Sequence, residues 1–190
     1  MIKKIAIAAV VFSLILVIVA CSGPAGIVQT PTQKTPQTET PSTTVVVPST
    51  PTPLANPKPS GLIKAKWIDP QVDGSTVSIP LSEVKNNWNT HFKIVAQSGT
   101  MNFMAYVLDG EIYVRANVCP PCKSIGFSLD NDILVCDRCA TTFKAKTGAG
   151  IQGACVNYPK AAVLYKTVND NIVINETDLA AAYQDTIKPG

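Results

Sequence analysis

Met101-Asn-Phe-Met-Ala-Tyr-Val-Leu-Asp-Gly-Glu-Ile-Tyr-Val-Arg-Ala116 is the stretch that decides the fold. Two β-prone runs, Met101 to Leu108 and Glu111 to Ala116, flank Asp109-Gly110, a dipeptide suited to the positive φ angles of a two-residue hairpin turn. The same grammar repeats on both sides. Thr76-Val-Ser-Ile-Pro80 alternates apolar and polar residues, and Phe92 to Ala96 is short and β-prone. Downstream, Ile125 to Leu129 and Asp132 to Cys136 flank a tight turn near Asp130-Asn131. Ala161 to Thr167 and Asn171 to Ile174 flank another at Asn169-Asp170. The main helical signal is C-terminal, with Asn175 as N-cap, Asp178 three residues on, and Leu179, Ala182 and Tyr183 on one face. A single helical turn is expected at Ser82 to Asn87. Many short strands joined by turns predict a mainly β domain, a small sandwich or barrel with a short C-terminal helix.

Two cysteine pairs follow the central hairpin: Cys119-Pro-Pro-Cys122 and Cys136-Asp-Arg-Cys139, with 13 residues between them. Each Cys-x-x-Cys turn brings two sulfurs to one ion, and two such turns on a hairpin can close a four-sulfur cage. Thiolates select zinc, copper(I) or iron–sulfur centres over hard cations. The loop between the pairs is slightly shorter than the usual zinc-ribbon range. Disulfides are the alternative, structural or redox-active, because Cys-Pro-Pro-Cys also resembles thiol–disulfide exchange motifs. Those motifs sit at a helix N-terminus in a βαβ setting, and Lys123-Ser-Ile-Gly126 runs into a turn instead. Haem attachment needs a histidine after the second cysteine, where this chain has Lys123 and Ala140. Each pair lies at a strand end or turn, so Cys119, Cys122, Cys136 and Cys139 are expected to converge at one end of the domain. Gly148, Gly150 and Gly153 let the loop of Cys155 bend toward the same end. Cys155 is a further ligand, a thiol or disulfide partner beside the site, or a small buried residue.

The N-terminus reads as an export signal. Lys3 and Lys4 precede Ile5 to Ala20, which is apolar apart from Ser13 and shorter than the roughly 20 residues that span a bilayer. Ile18-Val-Ala-Cys21 resembles a bacterial lipobox, in which the cysteine becomes the lipidated first residue of the mature protein. Residues 1–21 are thus expected to be a lipoprotein signal peptide with Cys21 as the lipidation site. Ser22 to Ser60 holds nine prolines and nine threonines and too little apolar surface to offset its ordering entropy. It is expected to be a disordered tether reaching on the order of 100 Å in polyproline II form. The remaining residues, 61–190, suffice for one domain. These features predict an extracytoplasmic, lipid-anchored protein of the cell membrane. Without Lys3 and Lys4 the basic and acidic side chains number 14 and 13, and no basic stripe or aromatic platform points to nucleic acid.

The succession of paired cysteines, Phe143, Thr147-Gly148, Gly153 and a closing hairpin resembles the Rieske domain. The ligands depart from it: Cys139 stands at the histidine position, and no histidine follows Cys119, which excludes a true Rieske centre. A fuller resemblance, to the membrane iron–sulfur family called FtrD-like, runs through Val77-Ser-Ile-Pro-Leu-Ser82, His91-Phe92, Phe103 and Asp109-Gly110. It continues through Val114, both cysteine pairs, Gly126-Phe127, Phe143 and Gly153-Ala-Cys155. The family's Gly-Gly-Cys-Asn-Pro segment is looser here, as Gly153-Ala-Cys-Val-Asn-Tyr-Pro159, and its usual acidic residue two positions before the first cysteine is Asn117. Many members have several membrane helices, whereas this chain reads as a lipoprotein. The resemblance implies a Rieske-like domain at 61–190 and an iron–sulfur cofactor on Cys119, Cys122, Cys136 and Cys139. It also implies electron transfer or iron handling beside a membrane transporter or redox partner. Zinc in a structural, non-redox site is the alternative cofactor, and thiol–disulfide exchange the third reading.

Acid–base or nucleophilic enzymes find little support. The acidic residues are scattered, and a hydrolase triad would need His91, the sole histidine, which is expected to be a hydrogen-bonded structural residue. Trp67 and Trp88 are expected to pack the core or its rim.

Overall fold

The computed structural model describes residues 57–96 and 99–190; the signal segment, Cys21 and the tether up to residue 56 lie outside them. In chain order the elements are β1 (Lys66–Trp67), β2 (Gln71–Asp73), β3 (Thr76–Pro80), α1 (Leu81–Asn87), β4 (Asn89–Ala96), β5 (Gly99–Leu108) and β6 (Glu111–Ala116). There follow β7 (Phe127–Asp130), β8 (Ile133–Cys136), β9 (Thr142–Lys144), β10 (Gly150–Gln152), β11 (Lys166–Val168), β12 (Asn171–Asn175) and α2 (Glu176–Ile187). The expected mainly β fold with a C-terminal helix is present. Its strands divide among three four-stranded sheets, ordered β1-β4-β5-β6, β10-β9-β8-β7 and β11-β12-β3-β2.

The central sheet is built on β5. Every residue from Met101 to Leu108 is buried, so both faces are covered, which explains a continuous apolar run in place of alternation. Leu108 pairs with Glu111 across Asp109-Gly110, whose φ angles of 53° and 83° suit a two-residue hairpin turn. Two further hairpins close at Asn131-Asp132 and Asn169-Asp170, again with left-handed residues at Asn131, Asn169 and Asp170. In β3, Val77 and Ile79 face inward while their neighbours are half exposed, as the alternation dictates.

Ala161 to Val163 departs from expectation, since only Lys166–Val168 pairs with β12. The Ala161 carbonyl accepts from the Ala116 amide and the Val163 amide donates to Val114, so this segment lies along β6 instead. At α2, Asn175 holds the cap position without a side-chain bond to the backbone; its amide reaches the Asp178 carboxylate at 3.4 Å. Leu179, Ala182 and Thr186 are buried, and Tyr183 meets Phe103 edge-on at 6.1 Å. Trp88 is in the core and Trp67 at its rim, 46% exposed.

His91, in register with Trp67 across the parallel β1–β4 pair, is buried with its ring edge-on to that indole at 5.2 Å. Neither ring nitrogen has a partner in good hydrogen-bond geometry, although the Phe127 carbonyl lies close enough to favour the charged form, so the ring is held mainly by packing. Burial drives its pKa from 6.5 down to about 4, with the Asp137 charge and the Phe127 carbonyl opposing only in part. The unfolded chain therefore takes up a proton between pH 6.5 and 4 that the folded chain refuses. Stability from this group is complete above pH 6.5 and falls by on the order of 3 kcal/mol as pH drops through 4. Denaturant unfolding of wild type and His91→Phe at pH 7 and 4 checks this: the variant is expected to lose most of that pH dependence.

Candidate metal centre

The two cysteine pairs occupy turns of the same construction. Cys119 N–H donates to the Ser124 carbonyl at 2.8 Å, and Cys136 N–H donates to the Thr141 carbonyl at 2.9 Å. In each, the residue after the second cysteine is left-handed: Lys123 at φ 56° and Ala140 at φ 55°. That conformation costs a residue with a Cβ roughly 1–2 kcal/mol, so the surroundings must hold it. The first turn leaves β6 and enters β7; the second joins β8 to β9. The β7–β8 hairpin folds the second turn back over the first.

Consequently the sulfurs of Cys119, Cys122, Cys136 and Cys139 all lie within 4.8 Å of one another. Across the two turns, the Cys122 and Cys136 sulfurs stand 3.7 Å apart. A tetrahedral ion about 2.3 Å from each sulfur sets neighbouring sulfurs about 3.8 Å apart, so the donors and their spacing fit a single thiophilic ion directly. A two-iron cluster splits the thiolates between two metals and needs the turns to stand farther apart. Cys155 also arrives at this end, its sulfur 3.7 Å from that of Cys139, which makes five converging thiols. His91 lies outside this group. All five are free cysteines, with Cys119, Cys136 and Cys155 buried and Cys122 and Cys139 half-buried.

Close packing fixes the Cys155 loop. A Cβ on Gly153, at φ 116°, would stand 2.5 Å from Thr141 Oγ1, and one on Gly148 would overlap the Lys160 carbonyl. Thr141 Oγ1 accepts from the Cys155 amide at 3.2 Å and lies 3.2 Å from the Cys139 sulfur. The Cys139 thiol can donate to this oxygen, and once Cys139 is a thiolate the hydroxyl turns its own proton to the sulfur.

The thiols differ sharply in acidity. Burial pushes Cys119 far up, with contributions from neighbouring Cys155 and Cys122 thiols that the Lys160 charge only partly opposes. Burial also raises Cys136, although the Ser124 hydroxyl and the amides of Cys139 and Arg138 favour its thiolate. At Cys139 burial acts in the same upward sense but is outweighed by the Thr141 hydroxyl and amide and by the Cys136 and Cys122 thiols, giving a pKa of about 6.

Sequence reasoning missed the supports. Lys160 and Arg115 are buried cations near the site, and Thr141 is a buried hydroxyl between two cysteine segments. Lys160 stands in Tyr158-Pro-Lys-Ala-Ala162 with no local pattern to distinguish it from a surface lysine. Asn117, two residues before Cys119, is buried with both side-chain amide atoms unpartnered.

In metal-free, reduced protein, iodoacetamide labelling followed by mass spectrometry should find Cys139 reacting with a midpoint near pH 6. Cys119 and Cys136 should stay unlabelled until the protein unfolds. Thr141→Val should move the Cys139 midpoint up by about one unit, the worth of one hydrogen bond to a thiolate.

The sequence matches the model of a family described as "Membrane iron-sulfur containing protein FtrD-like" over residues 68–185. No curated protein matches it. Among solved structures, one chain of "Complex of reduced oxygenase and oxidized ferredoxin in carbazole 1,9a-dioxygenase" aligns at 14% identity and a TM-score of 0.45, covering 55% of this chain and 95% of that one. The Sphingomonas yanoikuyae B1 ferredoxin aligns at 21% identity and a TM-score of 0.36, covering 44% and 83% respectively. Among the described residues no helix is long and apolar enough to cross a membrane. With its paired cysteines gathered into one cage and the family model spanning well over half its length, the chain belongs to the FtrD-like family of membrane iron–sulfur containing proteins.

Proposed function

We propose that this protein is an electron-transfer component whose iron–sulfur centre is held by Cys119, Cys122, Cys136 and Cys139. The observation that carries the reading is the four-sulfur cage in a chain of a family described as iron–sulfur containing. When bound, such a centre supplies a one-electron couple. The protein's own residues bind it as thiolates, keep water from Cys119 and Cys136, and leave Cys122 and Cys139 nearer the surface. All-thiolate ligation places more negative charge at the centre than ligation by neutral imidazoles, so its potential should be low and its role that of a donor.

A second reading has a specific observation in its favour. The cage is closer to the dimensions of a single tetrahedral ion than to those of a cluster, which suits zinc or one iron. Thiol–disulfide exchange at the first pair is disfavoured. Cys119 is buried with its thiol pushed up, and Cys122 leads into a left-handed turn in place of a helix.

Protein purified without oxygen should contain iron and acid-labile sulfide, absorb in the visible and titrate reversibly with one electron. Cys136→Ser should lose most of the bound metal. Zinc without sulfide and without a redox transition would favour the single-ion reading.

The cell-membrane location extends the proposal. Cys21 carries the lipid, the domain works on the extracytoplasmic face, and the electrons serve a neighbouring transporter or oxidase that handles iron. Lipid labelling of the wild type and its loss in Cys21→Ala are expected. An exported wild type that is unlabelled and soluble would sink the anchor.

A further inference from the structure

Lys160 has no exposed surface, yet it makes no ion pair with a carboxylate. Lys64 pairs with Asp137 and Lys66 with Glu83, and neither carboxylate answers Lys160. Its ammonium donates to the Val118 carbonyl at 2.7 Å, one residue before Cys119. It also stands 4.7 Å from the ring centre of Phe143 and 5.3 Å from that of Phe127. A carbonyl and two aromatic faces are weak compensation for an ammonium taken out of water, which costs several kcal/mol unless an anion answers it.

The groups able to answer it are the sulfurs. The Val118 carbonyl it meets precedes Cys119, and Phe127 beside it is in register with Cys136, so the ammonium is placed at the cysteine end, where the sulfurs' charge opposes the burial that lowers its pKa to about 8. Nor did the lysine arrive there by loose packing. Its own N–H donates to the Gly148 carbonyl at 2.8 Å and its carbonyl accepts from Arg115 Nη1 at 2.9 Å, so both backbone groups are clamped. The Gly148 position admits no Cβ because of that same carbonyl. Ligand cysteines bind as thiolates, so four of them around a divalent ion leave roughly two negative charges in a largely buried site.

We propose that Lys160 is the built-in counter-cation of the thiolate centre, a positioning residue that favours metal loading and raises the centre's reduction potential. This inference rests on the reading of the cage as a metal site. Loading creates net negative charge beside the ammonium, and reduction by one electron, from a chemical reductant such as dithionite, adds one more with no bond made or broken at Lys160. Both steps are favoured by a fixed positive charge in a region of low dielectric.

The test uses the full chain with Lys160→Met, which keeps the stem and removes the charge, and Lys160→Arg, which keeps the charge and changes the shape. Cobalt(II) affinity by chelator competition should fall at least tenfold in Lys160→Met and less in Lys160→Arg. In the iron-loaded protein, Lys160→Met should shift the one-electron reduction equilibrium at least tenfold toward the oxidised form, about 59 mV. A folded Lys160→Met with wild-type affinity and potential would overturn the inference while leaving the metal site standing. Should the wild type bind cobalt(II) yet show no redox transition, the electron-transfer reading fails and the affinity comparison still decides the role of Lys160. A wild type that binds no cobalt(II) through thiolates overturns both. Should Lys160→Met fail to fold, nitrogen-15 NMR of the zinc-loaded and metal-free wild type decides independently. A Lys160 ammonium that stays charged to higher pH in the zinc-loaded than in the metal-free protein supports the counter-cation, and no difference between the two overturns it.

Discussion

The guanidinium of Arg115 faces no carboxylate; it donates to the backbone oxygens of Ala145, Lys146 and Lys160 and to the Tyr106 hydroxyl. Arginine alone among the side chains offers five donors in a rigid planar fork, which lets one residue answer carbonyls from separate loops. Those carbonyls sit in irregular segments where no strand partner is present, and buried without a donor each would cost about 1–3 kcal/mol. Arg115 lies on β6, the strand that ends just before Cys119. Through it the central sheet fixes the loop after β9 and the segment carrying Lys160, both of which wall the cysteine end. The Tyr106 hydroxyl, itself donating to Ala145, completes the arrangement from β5.

The cysteine sheet contrasts with this. Its strands, β7 to β10, are three or four residues long, and two of the turns it carries are held in left-handed conformations by residues with side chains. Such a sheet has little backbone pairing to spare, although Phe127 and Phe143 meet edge-on at 5.8 Å beneath it. Ligation would add free energy where the fold is thinnest, and in metal sites of this kind binding energy and folding energy are one quantity. The central sheet is instead closed by long pairings of β4 with β5 and of β5 with β6.

What is legible in the sequence follows from how local its causes are. The hairpins at Asp109-Gly110, Asn131-Asp132 and Asn169-Asp170 are readable because turn residues with positive φ announce themselves. The cysteine pairs are readable because chelation fixes spacing, and the glycines near Cys155 because the loop has no room for a Cβ. By contrast, β1, β2, β9 and β10 span two or three residues each, too short for any period to register. Arg115, Thr141 and Lys160 are invisible for a different reason: each has a defining partner 14 or more positions away. His91 defies its expected hydrogen bonds because its environment is set across the parallel pair, and nothing nearby in the chain says so.

The N-terminal arm of the domain has a mechanical consequence. Ile63 exchanges both backbone hydrogen bonds with Leu129 on β7, at 2.8 and 2.9 Å, and Lys64 reaches Asp137, between Cys136 and Cys139, at 3.2 Å. Only then does the chain join β4 through β1. A pull arriving from the N-terminal side therefore loads the Ile63–Leu129 pair together with the Asn89 amide of β4, which donates to the same Ile63 carbonyl at 3.2 Å. Traction falls on the strand that leads out of one cysteine turn and on the aspartate inside the other. Two peptide hydrogen bonds, the Asn89 amide and one exposed ion pair thus share the load between the cysteine sheet and the start of β4.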